Sequence, residues 1–245
     1  MKNIGAFFRL RRILRKAIAY TMSSEEYVEK LRSYGISIGD NVNFRYPSHT
    51  LIDTSRPCLV EIGNNVDIND YFTVLTHDFG TFVFRECYQD FVNSSGKVKI
   101  GDNVVFGRDV TILKGVIIGN NCIIGAGSLV SKSIPDNSVA AGIPAKVICS
   151  LDDYYSKRKQ LQLGEALDYG VELAKSKGGV EKLVPSDFLE EWVLFLSKED
   201  YDNDYKLREI VDFRLKNIID INEFLKRNRP YSNFQEFRKA IKQKL

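Results

Sequence analysis

Two histidines are the residues of this chain best suited to move a proton near neutral pH. The 245-residue sequence contains only His49 and His77. His77 stands in the stretch VLTHDF, where a neutral imidazole can take the proton of an attacking hydroxyl group in the transition state. His49, in YPSHTLID, is interpreted as a surface histidine, with a place beside an acceptor pocket as the alternative. His77 is therefore the candidate general base.

A six-residue repeat indicates which structure must position His77. The large residues that mark the repeat are Ile38, Phe44, Ile62, Ile68, Val74, Ile100, Phe106, Ile112, Ile118, Ile124 and Val130. A small residue follows many of these anchors by four positions, and Gly with Asn or Asp often follows directly. Such repeats are typical of solenoids, in which each unit buries its apolar face against its neighbours. Three hexapeptides then form one triangular coil, with Gly or Asn at corners that require a positive φ.

The repeat is interrupted at His77. Val74 and Ile100 are separated by 26 residues, two more than a multiple of six. The intervening stretch THDFGTFVFRECYQDFVNSSGK shows no repeat. An irregular insertion is therefore predicted at about residues 76–97, and the candidate base lies at its start.

The stretch 36–149 resembles the left-handed parallel β-helix of the hexapeptide-repeat acyltransferases. Its end, IGAGSLVSKSIPDNSVAAGIPAKVI, resembles the last coil and exit loop of acetyltransferases that act on sugars and hydroxylated small molecules. The resemblance implies a mainly β fold, a triangular solenoid with a short N-terminal helix and an α-helical C-terminal appendage. It also implies a homotrimeric, acetyl-CoA-dependent O-acetyltransferase that requires no metal. The expected acceptor is a sugar hydroxyl in the biosynthesis of a cell-surface polysaccharide or glycolipid.

On the acceptor side, the resemblance makes His77 the general base. Asp78, Glu86 or a backbone carbonyl would orient its ring, and the segment ending in Asp53 would border the acceptor. Similar sugar acetyltransferases carry Asn where Ser48 aligns, which leaves the identity of the acceptor open.

On the donor side, the resemblance places coenzyme A along the coils between two subunits. The backbone of Gly107 and Arg108 would face the thioester, where N–H groups can stabilise a tetrahedral oxyanion. The remaining donor contacts would be Ala126 with the pantetheine arm, Ser131 and Lys132 along the path to the nucleotide, and Lys146 with a phosphate. The chain departs from many relatives by having Val105 in place of Trp and Cys149 in place of Arg.

Composition excludes several other functions. A formal net charge of +3 gives no basis for nucleic-acid binding. Two histidines are too few for a zinc site with three histidine ligands. Four scattered cysteines without a CxxC pair favour a reduced, cytoplasmic compartment. The alternatives that stay open are N-acetylation of an amino sugar, O-acetylation of a xenobiotic such as an antibiotic, and a non-catalytic β-helix scaffold.

The sequence divides into three parts, at 1–35, 36–149 and 150–245. Residues 1–20 contain six basic and no acidic residues and form a basic amphipathic pattern. This pattern predicts a helix that caps the solenoid or, alternatively, touches the inner face of a membrane. In the third part, helical periods are predicted for 154–177, 186–197, 205–228 and 232–244, the last capped by Ser232 or Asn233.

Overall fold

The computed structural model describes residues 22–216 and 218–245. The segment predicted as a basic amphipathic helix over residues 1–20 lies outside the described residues, as does its role as a cap or membrane contact. The chain divides into two compact units, one ending at Tyr155 and the other running from Ser156 to Leu245. None of the helices in the described ranges is both long enough and apolar enough to span a bilayer.

Short strands account for most of the first unit. They are β1 Ser37–Ile38, β2 Asn43–Phe44, β3 Leu51–Ile52, β4 Val60–Ile62, β5 Val66–Ile68, β6 Thr73–Val74, β7 Val98–Ile100, β8 Val104–Phe106, β9 Thr111–Ile112, β10 Ile117–Ile118, β11 Cys122–Ile124, β12 Leu129–Val130, β13 Ser138–Gly142 and β14 Ala145–Ser150. Successive strands join three different sheets in turn. Sheet A has the order β1-β4-β7-β10, sheet B the order β14-β13-β11-β8-β5-β2, and sheet C the order β12-β9-β6-β3.

The pairing within these sheets fits a parallel β-helix. Nearly every pair is parallel, such as β5 with β8 and β6 with β9. The antiparallel exception is the hairpin of β13 and β14, which ends the solenoid. Because each strand pairs with the strand one coil later, residues at corresponding corners of successive coils are stacked above one another.

The six-residue repeat predicts the core correctly. The anchors from Ile100 to Val130 are each at most 1% exposed. The small residues four positions after an anchor are also buried from Val66 to Ser128, whereas Val42 at the first coil is only partly buried. The interior of the solenoid is therefore filled by these two sets of side chains.

The corner between sheets A and B carries a stack of asparagines, which we call the asparagine ladder. Its members are Asn41, Asn65, Asn103, Asn121 and Asn137. Their φ values lie between 54° and 56°, a left-handed conformation that asparagine tolerates better than most residues. The side-chain amide of each donates a hydrogen bond of 2.9–3.0 Å to the carbonyl of the next. The ladder thus connects all coils at this corner.

The glycines directly after the anchors have a different cause from the predicted one. Gly63 and Gly101 do not have a positive φ, so the corner conformation does not require glycine there. A Cβ atom at Gly63 would instead lie 2.7 Å from the backbone of Gly101 in the next coil. Glycine is needed because the coils approach closely, and the prediction of a positive φ at these glycines is wrong.

Two helices accompany the solenoid. Helix α1, Ser24–Ser33, starts with a capping box between Ser23 and Glu26 and buries Tyr27, Val28 and Leu31. The Tyr27 ring packs edge-on against Phe44 of β2 at 5.0 Å, so α1 covers the first coil. Helix α2, Thr81–Tyr88, lies within the predicted insertion between β6 and β7.

The second unit is helical. It contains all but the first five residues of α3 Leu151–Lys177, together with α4 Lys198–Asn203, α5 Tyr205–Leu215, α6 Ile221–Leu225 and α7 Phe234–Lys244, and 3₁₀ turns at Val180–Lys182, Pro185–Asp187 and Glu191–Leu194. Its core contains the contacting rings of Phe188, Phe195, Phe234 and Phe237, with centroids 5.0–5.8 Å apart.

The structure contradicts two of the predicted helices, one of which is absent and one of which is divided. The stretch 186–197 forms no α-helix, because Trp192, Leu194, Phe195 and Leu196 are all buried and cannot share one helical face. The stretch 205–228 is divided between α5 and α6, since Asp220 caps a new helix by accepting hydrogen bonds from the N–H groups of Asn222 and Glu223. The first helix ends at Lys177 as predicted, and Asn233 caps the last one.

Candidate active site

His77 is held by a carboxylate from the preceding coil. Its Nδ1 lies 2.7 Å from Oδ2 of Asp53, and both side chains are largely shielded, at 18% and 8% exposure. Asp53 follows β3 and His77 follows β6, and these strands are neighbours in sheet C. The Asp53 N–H also donates to the Val74 carbonyl at 3.1 Å, which fixes the coil-to-coil register at this point.

Asp53 accepts several hydrogen bonds. Oδ1 accepts from the N–H and hydroxyl of Ser55 at 3.0 and 2.6 Å, and Oδ2 accepts from the N–H and hydroxyl of Thr76 as well as from His77. Burial alone would raise the pKa of this carboxyl, but these hydrogen bonds outweigh it and hold the pKa well below its usual range. Asp53 is therefore ionised at neutral pH.

The ionised carboxylate fixes the tautomer of His77. A carboxylate can only accept hydrogen bonds, so Nδ1 must carry the proton that it donates to Asp53. Nε2 is then the basic nitrogen, and within the described part of the chain it has no hydrogen-bond partner. The pair is arranged as a general base with an orienting carboxylate.

The insertion begins and ends at this pair. His77 and Ser95 form an antiparallel bridge, and the Gly96 N–H donates to the Thr76 carbonyl at 2.9 Å. Lys114, from the next coil, binds the side chains of both Asp78 and Ser94. Both ends of the insertion are therefore tied to the solenoid beside His77.

The predicted orienting residues of His77 do not perform that role. The Lys114 ammonium lowers the pKa of Asp78 to about 2 and holds its carboxylate, so Asp78 does not turn towards the ring. Glu86 lies on α2, is 69% exposed and pairs with Arg85. The prediction of Asp78, Glu86 or a backbone carbonyl is wrong because Asp53 already occupies Nδ1.

A second histidine–carboxylate pair lies at the opposite end of the strands of sheet C, where His49 precedes β3 and Asp70 precedes β6. Nδ1 of His49 is 2.7 Å from Oδ1 of Asp70, and Oδ2 of Asp70 pairs with Arg108 at 3.1 Å. The His49 ring stacks on Tyr71 at 4.9 Å, and the Arg108 guanidinium lies over the same tyrosine at 5.2 Å. Asp70 is only 7% exposed. The prediction of His49 as an ordinary surface histidine is therefore wrong, and no motif in the sequence points to Asp70 as its partner.

The donor residues predicted at the corner between sheets B and C are partly rearranged. The Gly107 N–H donates to the Ile124 carbonyl at 2.7 Å, so the prediction that it stabilises an oxyanion is wrong. A Cβ at Gly107 would lie 2.8 Å from Cα of Ala126, which shows that Gly107 serves the close stacking of coils. The backbone N–H of Arg108 donates no hydrogen bond to an acceptor among the described residues.

The remaining predicted residues lie at both ends of the strands of sheet C, except Lys146. Ser131 and Lys132 directly follow β12, as His77 shortly follows β6, and two coil spacings of about 4.8 Å separate these positions. Ala126 lies at the opposite corner above Gly107, and Ser48 lies in the 3₁₀ turn Pro47–His49 at that same corner. The exposed Lys146 belongs to β14, paired with Ala141.

Sheet C thus separates two groups of predicted site residues. His77, Asp53, Ser131 and Lys132 follow its strands, whereas Ser48, Arg108 and Ala126 precede them. The four residue steps from His49 to Asp53 span roughly 13 Å in an extended chain, at about 3.3 Å per residue. Within one chain, the two groups do not converge on one reacting atom. Among the described residues, no three His, Cys, Asp or Glu side chains gather as a metal site.

Comparison with known proteins identifies related sequences for the repeat region. Residues 97–132 match the family described as bacterial transferase hexapeptide (six repeats). The chain is 36% identical over 129 residues to protein CapG of Staphylococcus aureus, covering 53% of this chain and 74% of CapG. It is 39% identical over 128 residues to the galactoside O-acetyltransferase of Escherichia coli K12, covering 51% of this chain and 50% of that enzyme.

A solved structure also aligns with part of this chain. The maltose O-acetyltransferase of Clostridium difficile 630 aligns with 28% identity and a TM-score of 0.39, over 55% of this chain and 81% of the other. The relatives and the hexapeptide match define an acyltransferase built on hexapeptide repeats. The chain belongs to the hexapeptide-repeat acetyltransferase family.

Proposed function

We propose that the protein is an O-acetyltransferase that moves the acetyl group of acetyl-CoA to a sugar hydroxyl, with His77 as the general base. The observation that carries this proposal is the His77–Asp53 pair at 2.7 Å, placed at the start of an insertion in a hexapeptide-repeat solenoid. The similarity to a galactoside O-acetyltransferase supports a sugar acceptor, and we assign this acceptor to the biosynthesis of a cell-surface polysaccharide or glycolipid.

His77 would transfer one proton in two steps. Nε2 accepts the hydroxyl proton as the acceptor oxygen forms its bond to the thioester carbonyl carbon. Asp53 stabilises the resulting imidazolium, because its negatively charged carboxylate accepts a hydrogen bond from the Nδ1–H group throughout the reaction. Nε2 then returns the proton to the sulfur as the carbon–sulfur bond breaks, which yields the acetyl ester and free coenzyme A.

Acetyl-CoA, the acyl donor, would lie along the ends of the strands of sheet C. Ser131 and Lys132 stand at the same end as His77, and Lys146 supplies a positive charge for a phosphate. The N–H of Arg108 remains a candidate for stabilising the oxyanion, whereas that of Gly107 is committed to the coil ladder. Ala126 would contact the pantetheine arm.

We propose a homotrimer of left-handed β-helices. Support comes from the division of the candidate residues between the two ends of the strands of sheet C, since a neighbouring copy would bring both groups to one site. Light scattering tests this assembly, and a fully active monomer would contradict it.

We further propose that residues 36–149 form the acyltransferase domain and that the protein works in the cytoplasm. Two roles stay open for residues 1–20, a cap on the solenoid and contact with the inner face of a membrane. Six basic residues without an acidic one in residues 1–20 support contact with an anionic lipid surface. Co-sedimentation with anionic liposomes should decrease when residues 1–20 are removed, and equal sedimentation of both forms would refute this contact.

The test of the proposed function is the release of free thiol from acetyl-CoA over a panel of sugars. The His77→Ala variant should lose at least about 100-fold in turnover, the lower range for general-base catalysis. Matched amine and hydroxyl acceptors distinguish O- from N-acetylation, and an antibiotic alcohol tests the xenobiotic alternative. Full turnover in the variant would refute the assignment of His77, and no turnover on any acceptor would favour a scaffold.

A further inference from the structure

The segment after His77 exposes an unusual number of large apolar side chains. The members of this apolar patch are Phe79, Phe82, Val83, Tyr88, Phe91 and Val92. Phe79 and Phe82 are 76% and 65% exposed. Isolated exposed apolar residues are ordinary, but a concentration within 14 residues of sequence is typical of a binding surface.

The patch does not contribute to folding through burial of its own side chains. Helix α2 contains no buried residue, although Phe82, Val83, Phe84 and Tyr88 make half of its eight residues large and apolar. An eight-residue helix is marginal in water unless it packs against something. Packing within the described chain buries none of the side chains of the patch, which leaves them free to contact a bound molecule.

The patch begins at the candidate base. The Phe79 ring lies edge-on to the His77 imidazole, with ring centroids 5.1 Å apart. Asp78, between them, is held by Lys114 and accepts the Gly80 N–H at 3.0 Å. The Phe82 N–H donates to the Phe79 carbonyl at 2.9 Å, so Phe79 is connected to the first turn of α2. Phe79 therefore lies directly beside the imidazole of the candidate base, and its backbone connects it to Phe82 in the first turn of α2.

We propose that the apolar patch binds a hydrocarbon or aromatic group of the acceptor. The acceptor is then an amphiphile, in which a sugar hydroxyl reaches Nε2 of His77 while an apolar group attached to the sugar lies on Phe79 and Phe82. The inference rests on the proposed function, because it is the acceptor that must approach the base. Two exposed phenyl rings and their apolar neighbours offer far more apolar area than a polar sugar ring can cover.

The test compares octyl β-D-galactopyranoside with methyl β-D-galactopyranoside, below the concentration at which the octyl compound forms micelles. Binding to the full-length protein is measured by titration calorimetry, so the readout does not depend on turnover. The octyl compound should bind about tenfold more tightly or better, which requires burial of only about two methylene groups. The double variant Phe79→Ala/Phe82→Ala should lose most of this advantage, whereas Phe213→Ala, an equally exposed aromatic at 75% in the helical unit, should retain it.

The outcomes separate this inference from the proposed function. An octyl group that adds less than about threefold to affinity in the wild type, including no binding of either compound, overturns the inference. An advantage that survives in the double variant overturns it as well. Dissociation of the double variant into smaller species by light scattering would assign the patch to a subunit contact and also overturn it. Preferential octyl binding without any thiol release in the enzyme assay would sustain the binding surface and refute the proposed acetyl transfer.

Discussion

Replacing Asp53 with asparagine tests how the candidate base works. Asparagine has nearly the same shape and keeps an oxygen that can accept the Nδ1 proton of His77, 2.7 Å away in the wild type. The change removes the negative charge that stabilises the imidazolium. At about 4 Å between charge centres and an effective dielectric constant of about 20, that charge contributes about 4 kcal/mol.

The neutral amide dipole replaces part of this stabilisation, so we expect a loss of about 2–4 kcal/mol in the transition state. This corresponds to a decrease of roughly 30- to 1000-fold in kcat/KM for the acceptor. Thiol release from acetyl-CoA under subsaturating acceptor measures it. Circular dichroism and light scattering show whether the variant keeps its fold and assembly.

Two matched variants make the result specific. Asp78→Asn removes the carboxylate next in sequence to His77, which is bound to Lys114, and Asp67→Asn removes a carboxylate paired with Arg45 on sheet B. Each should change kcat/KM by less than about threefold, because surface ion pairs contribute little. If Asp53→Asn kept more than a third of the activity, or if Asp78→Asn lost as much as Asp53→Asn, our reading of the pair would be refuted.

Three further predictions concern stability. Gly63→Ala should cost about 1–3 kcal/mol in urea unfolding, because its Cβ would meet the backbone of the next coil; Gly164→Ala, with open space around it inside α3, should be neutral or stabilise by up to about 1 kcal/mol, and equal losses would contradict the steric explanation. Phe188→Ala should cost about 3–5 kcal/mol by leaving a cavity among aromatic rings, and a loss under about 1 kcal/mol would show that they do not hold the helical unit together. The low pKa of the Asp53 carboxyl stabilises the fold above its unfolded pKa of about 3.9, and this contribution disappears as pH falls through the folded pKa. Urea unfolding at pH 5 and pH 3 should therefore show a smaller pH effect in Asp53→Asn, and an unchanged effect would refute the linkage.

The sequence predicted the scaffold better than the site, because the two depend on different interactions. Every anchor from Ile100 to Val130 follows from local spacing, since each coil repeats the same inward-facing positions. The partner of His77 depends instead on the first coil, which is irregular. The 3₁₀ turn Pro47–His49 places the buried residue at Ile52 and not at Thr50, where the six-residue spacing would put it. The stacking of Asp53 on His77 was hidden by that shift.

Other differences have similar physical causes. A glycine in a corner sequence can serve either backbone conformation or close approach, and the spacing alone does not distinguish these uses at Gly63. A backbone N–H that the repeat pattern leaves available for a ligand can instead donate to the next coil, as Gly107 does to the Ile124 carbonyl. In the helical unit, period-based prediction failed from Trp192 to Leu196, because these side chains are buried on nearly all sides.

The asparagine ladder has a consequence for how such a chain can vary. Its hydrogen bonds keep a length of 2.9–3.0 Å, although the bonded asparagines are separated by as few as 16 and as many as 38 residues of sequence. The insertion beside His77 leaves the solenoid between sheets C and A, and the extra residues at the turn Pro47–His49 lie between sheets B and C; neither segment passes through the ladder corner. The ladder keeps successive coils aligned at the corner between sheets A and B. Segments at the other two corners can therefore be lengthened, shortened or exchanged without altering how the coils stack. Under the proposed function, the acceptor preference could therefore change through these segments while the coils that we assign to the donor stay the same.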